Sequence, residues 1–258
     1  MGRSLFLVAI FASACGGGGP STGGPLRFTL DETHIAQVPI EEKQSVLNAK
    51  TDFEKAKMEE SSWVAQLDDV KTKLDIARNE AQQAKLTVES ARREKDAANK
   101  SADRTRINNA DRDHRAAELG KQSAEMKVAF LEAKRSWLER AANFGKANTY
   151  AKEARLELEK AKVASARNIR PSGFQLSDYD KQNRERGDVA GRFKKDSDGK
   201  KAEAEQKRQA WNSKEKEYMS AKGITPPPEG GAPTVGAGTQ TQTPKPSTTS
   251  TDNNAVLK

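Results

Sequence analysis

The chain has 258 residues, of which 34% are hydrophobic, 5% aromatic and 32% charged. A composition this polar excludes a globular core in proportion to the length and leaves an elongated or partly disordered chain. The net charge of +8 raises nucleic acid as a partner, but the basic residues are interleaved with acidic ones, the mixture of a solvated helix face.

Residues 1–14 have the layout of a secretory signal. Arg3 supplies the positive start, residues 5–12 an apolar run, and Ser13 and Ala14 the small residues of a cleavage site. The run is too short to span a bilayer permanently. Cys15, the only cysteine, is followed by glycines that lose much entropy on ordering, so a structural thiol is not expected. Secretion disfavours nucleic acid and makes anionic lipopolysaccharide or cell wall the expected counterpart of the basic charge.

The stretch Ala12-Ser13-Ala14-Cys15 resembles the lipobox of bacterial lipoproteins, in which a peptidase cleaves before the cysteine and the thiol is lipidated. The resemblance implies an acylated Cys15 carrying chains such as palmitate, and Gly16 in place of Asp implies the outer membrane. Acyl chains partition at about 0.8 kcal/mol per CH2, and several together hold firmly. The alternative is an ordinary signal peptide that leaves Cys15 unpaired and open to oxidation. Residues 15–38 then read as a flexible linker, rich in Gly, Pro, Ser and Thr as far as Leu26.

Pro39 with Glu41 and Glu42 predicts a helix start, and Pro171-Ser172-Gly173 predicts a stop, with no proline between them. Inside residues 39–170 the apolar positions repeat every seven. One column, a, holds Val46, Phe53, Leu67, Leu74, Ala81 and Val88, then Phe130, Trp137, Phe144, Ala151 and Leu158. A second, d, holds Trp63 and Val70 among many alanines. This predicts an all-α fold built on a coiled coil with its seam at Phe53, Trp63, Leu67, Val70, Leu74, Phe130, Trp137, Phe144 and Leu158.

Large a residues and small d residues favour an antiparallel pair, because each large side chain then meets a small one. The polar stretch 99–115 interrupts the columns, and Asn108-Asn109 suits a turn, so a hairpin with its tip near residues 104–110 is expected. A fold-back near Ile107 sets Phe53 against Ala161, Trp63 against Ala151, Ala77 against Trp137 and Ala84 against Phe130. Shifting the register one heptad in one direction places Phe144 on Trp63 and reads as overpacked, whereas the shift in the other direction pairs nearly as well. The alternative is one unbroken helix, which the constant heptad phase and the absence of Gly or Pro at the tip support.

Residues 171–222 predict a third helix capped by Ser177 and Asp178, with Ala204, Trp211 and Tyr218 at heptad spacing and Gly187, Gly191 and Gly199 weakening its first half. Residues 223–258 form a Pro/Thr/Gly-rich tail, with Pro226-Pro227-Pro228, that is expected to be disordered and ends at Lys258. A lipidated N-terminal cysteine, Ala-rich heptads and a final lysine together resemble the murein lipoprotein. In that family the terminal lysine is joined through its side chain to peptidoglycan, which implies Lys258 as a wall attachment.

Little points to catalysis. His34 and His114 lack metal-ligand spacing, and neither a phosphate-cradling glycine loop nor a nucleophile elbow is present. No enzyme activity, metal or cofactor is expected. The expected function is a lipid-anchored outer-membrane protein facing the periplasm, whose coiled coil is a spacer or docking surface for an envelope assembly. Two alternatives stand beside it: a tether from outer membrane to peptidoglycan through the tail, and an adaptor of an export or efflux channel. The last is similar to the helical hairpins of periplasmic adaptor proteins, although their β-rich domains have no counterpart here. Expected partners are the membrane through the lipid, other envelope proteins, peptidoglycan or lipopolysaccharide, and a second copy of the chain.

Overall fold

A computed structural model describes residues 24–224. The expected signal at 1–14, Cys15, most of the tail and Lys258 lie outside the described residues. Within them the fold is all-α: two short 3-10 turns, Glu32–Ile35 and Ile40–Lys43, lead into α1 (Gln44–Asn99), α2 (Arg104–Ala166) and α3 (Leu176–Ala221). At 1.5 Å per residue these helices are about 84, 95 and 69 Å long. α1 and α3 each run antiparallel to α2 and pack along it, and among the described residues they do not pack on each other.

The hairpin forms, but its turn is at residues 100–103, ahead of the expected 104–110. Asp103 decides the position. Its carboxylate accepts hydrogen bonds from the backbone N–H groups of Thr105 (2.8 Å) and Arg106 (3.2 Å), satisfying two amides that a helix start leaves orphaned. Asn108 and Asn109 are thereby left inside the second turn of α2.

The register also differs from the expected one, by about a heptad. Leu74 and Ala77 pack on Leu131, Lys127 pairs with Glu80 at 2.6 Å, and Trp63 meets Trp137 edge-on at 6.1 Å. The expected pairs Ala77 with Trp137 and Ala84 with Phe130 are not formed. This alignment brings Trp63 close to the position of Phe144, yet no overpacking results, because α2 turns Phe144 away and presents Gly145. A Cβ at Gly145 would lie 3.1 Å from the Glu60 Cα and 3.2 Å from Trp63 Cδ1, so glycine is what admits the indole.

A second column in α2 therefore completes the packing. Leu131, Leu138 and Gly145, one position after the a residues, are buried, Leu131 and Gly145 directly against α1. The a residues reach α3 as well, although Phe130 also packs against the Leu74 and Ala77 cluster and Trp137 against Trp63 of α1. Phe130 stacks on Trp211 with centroids 5.6 Å apart, and Phe144 packs with Ala190 and Phe193. Of the expected seam, Val70, Leu74 and Leu158 are buried, while Phe53, Trp63, Leu67, Phe130, Trp137 and Phe144 are half-buried.

Two further differences concern the flanks. Residues 24–38, expected as flexible linker, form a packed strap: Leu30, Ile35 and Val38 are buried with Val46, Ala49, Leu156, Leu158, Ala161 and Tyr179 at the base of the hairpin. Burying side chains of this size contributes about 1.5–3 kcal/mol each toward the entropy cost of ordering the segment. The third helix starts at Leu176 with Gln175 as its N-cap, so Ser177 and Asp178 lie in its first turn.

α3 continues unbroken through Gly187, Gly191 and Gly199, and a Cβ at any of them meets nothing within 4 Å. Each glycine costs the helix about 0.5–1 kcal/mol relative to alanine. The triple variant Gly187→Ala/Gly191→Ala/Gly199→Ala is expected to raise Tm by about 3–12 °C. Thermal unfolding followed by circular dichroism checks this, and an unchanged or lower Tm refutes it.

Candidate functional site

The described residues contain no group of three His, Cys, Asp or Glu side chains that could hold a metal ion, and no helix long and apolar enough to cross a membrane. His34 closes a 3-10 turn at the base and His114 lies on α2 near the tip, so the two are at opposite ends. The structured features that offer themselves to a partner are the ends of the rod.

At the base, the strap is held through its backbone. The Gln182 side-chain carbonyl accepts from the N–H groups of Arg27 (2.8 Å) and Phe28 (3.0 Å), and its amide donates to the Phe28 carbonyl (2.8 Å). Tyr179 donates its hydroxyl proton to the Thr29 carbonyl, and Arg186 donates to the Gly24 carbonyl. The Leu30 N–H donates to the Glu157 carboxylate at 2.6 Å, and Lys160 donates to the same carboxylate at 2.8 Å. Both charged groups are buried, at 6% and 7% exposure. Burial, and secondarily the Glu157 charge, raises the Tyr179 pKa and keeps its hydroxyl a donor.

Glu153 lies one helical turn from Glu157. Burial, then repulsion from Glu157, raises its pKa above 4.5, against smaller attractions to Lys57, Arg186 and Lys160. A carboxyl with a raised folded pKa favours the native state when protonated, so it costs stability as pH rises from the unfolded value through the folded one. Glu153→Gln is therefore expected to stabilise the protein at neutral pH, with the gain vanishing as pH falls through 4.5. Urea midpoints of the two proteins across pH 3–7 measure it, and a constant difference would exclude this origin.

The opposite end has two parts. α3 stops beside the early turns of α2, so the last part of the hairpin projects beyond it as two helices, tied across by Arg106 to Glu94 (2.8 Å) and Lys95 to Asp111 (2.9 Å). The Lys95 hydrogen bond also holds the Asp111 pKa down. Just behind this tip, α1 and α3 rise on either side of α2 as the walls of a groove of about 990 Å3. Its floor is small, with Ala116, Ala117, Gly120 and Ala124 of α2, and its α3 wall carries Trp211 and Tyr218.

The Ser123 hydroxyl donates to Glu215 across the junction of α2 and α3. The Trp211 indole N–H has no acceptor among the described residues. A Cβ at Gly120 would sit 2.8 Å from the Tyr218 ring, so glycine lets that ring lie down on α2.

Sequence reasoning missed both the strap and the groove. Asp31, whose carboxylate caps the turn at Glu32–Ile35 through the Thr33 N–H, marked the strap as structured ahead of Pro39. The groove depends on two helices sharing α2, which no single heptad column reveals. The described geometry consists of backbone clips, apolar seams and ion pairs. A search against known proteins found no matching family model, curated protein or solved structure.

Proposed function

We propose that the protein is a non-enzymatic, lipid-anchored component of the bacterial outer membrane that faces the periplasm. An acylated Cys15 holds it there, and the helical rod is a spacer and docking surface for an envelope assembly. The observation that supports this most is the polarity of the rod. The chain joins it at the base, where residues 16–23 leave at most about 30 Å between Cys15 and the strap. It leaves α3 about 50 Å from the point where Arg186 holds the strap. A base held near a lipid surface and an end standing well clear of it suit a part that bridges distance.

The test is the N-terminal peptide of protein taken from native envelopes. It is expected to carry diacylglyceryl and acyl mass on Cys15, and Cys15→Ser is expected to move the protein from the membrane to the soluble fraction. An unmodified Cys15 overturns the anchor. The tether reading, with Lys258 joined to peptidoglycan, draws support from the same polarity, because the tail starts at the end remote from the strap. Deleting residues 225–258 would abolish wall association if the tail is the tether and leave it unchanged if the rod alone docks.

A further inference from the structure

We propose that the strap is a directional tension latch. A pull on the N-terminus away from the base peels residues 24–41 off the rod, whereas a pull toward the tip is resisted by the whole strap at once. This goes beyond the spacer reading and does not rest on it, since it holds for any pull on the N-terminus.

The order of the contacts sets the direction. Arg186 donates to the Gly24 (2.8 Å) and Pro25 (3.3 Å) carbonyls, Gln182 holds Arg27 and Phe28, Tyr179 holds Thr29, and Glu157 holds Leu30. Along the strap the α3 partners fall from Arg186 through Gln182 to Tyr179, so the strap runs antiparallel to α3. It starts about 15 Å above the first residue of α3, descends to the base and there turns back into α1.

A chain pulled away from the base at Gly24 has to double back on itself. Its bonds then meet the force singly: Arg186 first, then Gln182, then Tyr179 and Glu157. Pulled toward the tip, the same chain lies in line with the force and these bonds must yield together. Because one hydrogen bond is worth little net, the order of release decides the strength.

Two features bound the motion. Freeing the Leu30 N–H strands no charge, because Glu157 keeps Lys160 at 2.8 Å, and the burial of Leu30, Ile35 and Val38 draws the strap back when the pull ends. At the far end Arg167 grips the Glu42 carboxylate, and past Lys43 the pull runs along the axis of α1, whose seam with α2 must shear over its full length. The latch therefore opens by a fixed amount. Residues 24–41 extend to about 60 Å, of which about 15 Å is already spanned in the closed strap, a gain of about 45 Å.

The test is single-molecule stretching of the full, unacylated chain between handles on Cys15, its only cysteine, and on either Ala102→Cys at the tip or Ser172→Cys in the base loop. Both replaced side chains are exposed. The rod is free to rotate, so the tip handle draws Gly24 away from the base and the base handle draws it toward the tip. With the tip handle, a first step of about 45 Å in contour length is expected at low force, reversing on relaxation before any helix unfolds. With the base handle, the strap is expected to yield only at a clearly higher force. Gln182→Ala is expected to lower the tip-handle force and leave the step length unchanged. Equal forces in the two geometries, a first step as long as a whole helix, or no change of force in Gln182→Ala would each overturn the proposal.

Discussion

Glu157→Ala is expected to lower the stability of the fold by about 3–5 kcal/mol, the cost of stranding one member of a buried ion pair. Lys160, 7% exposed, would lose its short ion pair and keep the longer one to the exposed Glu32, 3.8 Å away, with weaker attractions to Glu153 and Asp31, and the buried Leu30 N–H would lose its acceptor. Two readouts separate these effects. The urea midpoint reports the whole loss, while the rate of tryptic cutting after Arg27 reports release of the strap. Gln182→Ala removes the neighbouring clip without stranding a charge, so it is expected to speed cutting at Arg27 with a smaller loss of about 1–3 kcal/mol. A loss below about 1 kcal/mol for Glu157→Ala would show that the carboxylate is not the anchor described, since even a single neutral hydrogen bond contributes about that much.

Leu138→Ala is expected to cost about 2–5 kcal/mol by leaving a cavity in the α2 column that packs against α1. Leu138 is 0% exposed and lies one heptad from each of Leu131 and Gly145, both packed on α1. Leu86→Ala, at 65% exposure on α1, provides the contrast and is expected to change stability by less than about 0.5 kcal/mol. Similar losses for the two leucines would contradict the full burial of Leu138.

The all-helical fold, the hairpin and the third helix were legible because heptad spacing and proline placement act locally and need no knowledge of neighbours. The register was not legible, for a physical reason visible at Phe144 and Gly145. Pairing large with small residues assumes that each helix has one seam, whereas α2 has two. Phe144 serves α3 while Gly145, its neighbour, receives Trp63. The turn was misplaced because Asn108 and Asn109 suit turns in isolation, yet the Asp103 carboxylate offers two amides a partner at once. The strap was hidden by composition. Its contacts run mainly from the side chains of Gln182, Tyr179 and Glu157 to backbone groups of residues 27–30, which leave almost no mark on the strap's own residue types.

The arrangement of α1, α2 and α3 also has a mechanical consequence. Because α1 and α3 flank α2 without closing on each other and rise as the walls of a groove, the rod has the cross-section of a strip creased along α2 and open on one face. A strip resists bending within its own plane far more than across it, since material set away from the neutral axis carries most of the stiffness. Loads directed through α2 from either flank would be borne as by a plank on edge, while loads on the open face would flex it. The rod therefore has a preferred direction of compliance, and beyond the end of α3, where the hairpin continues as two helices, that compliance is greatest.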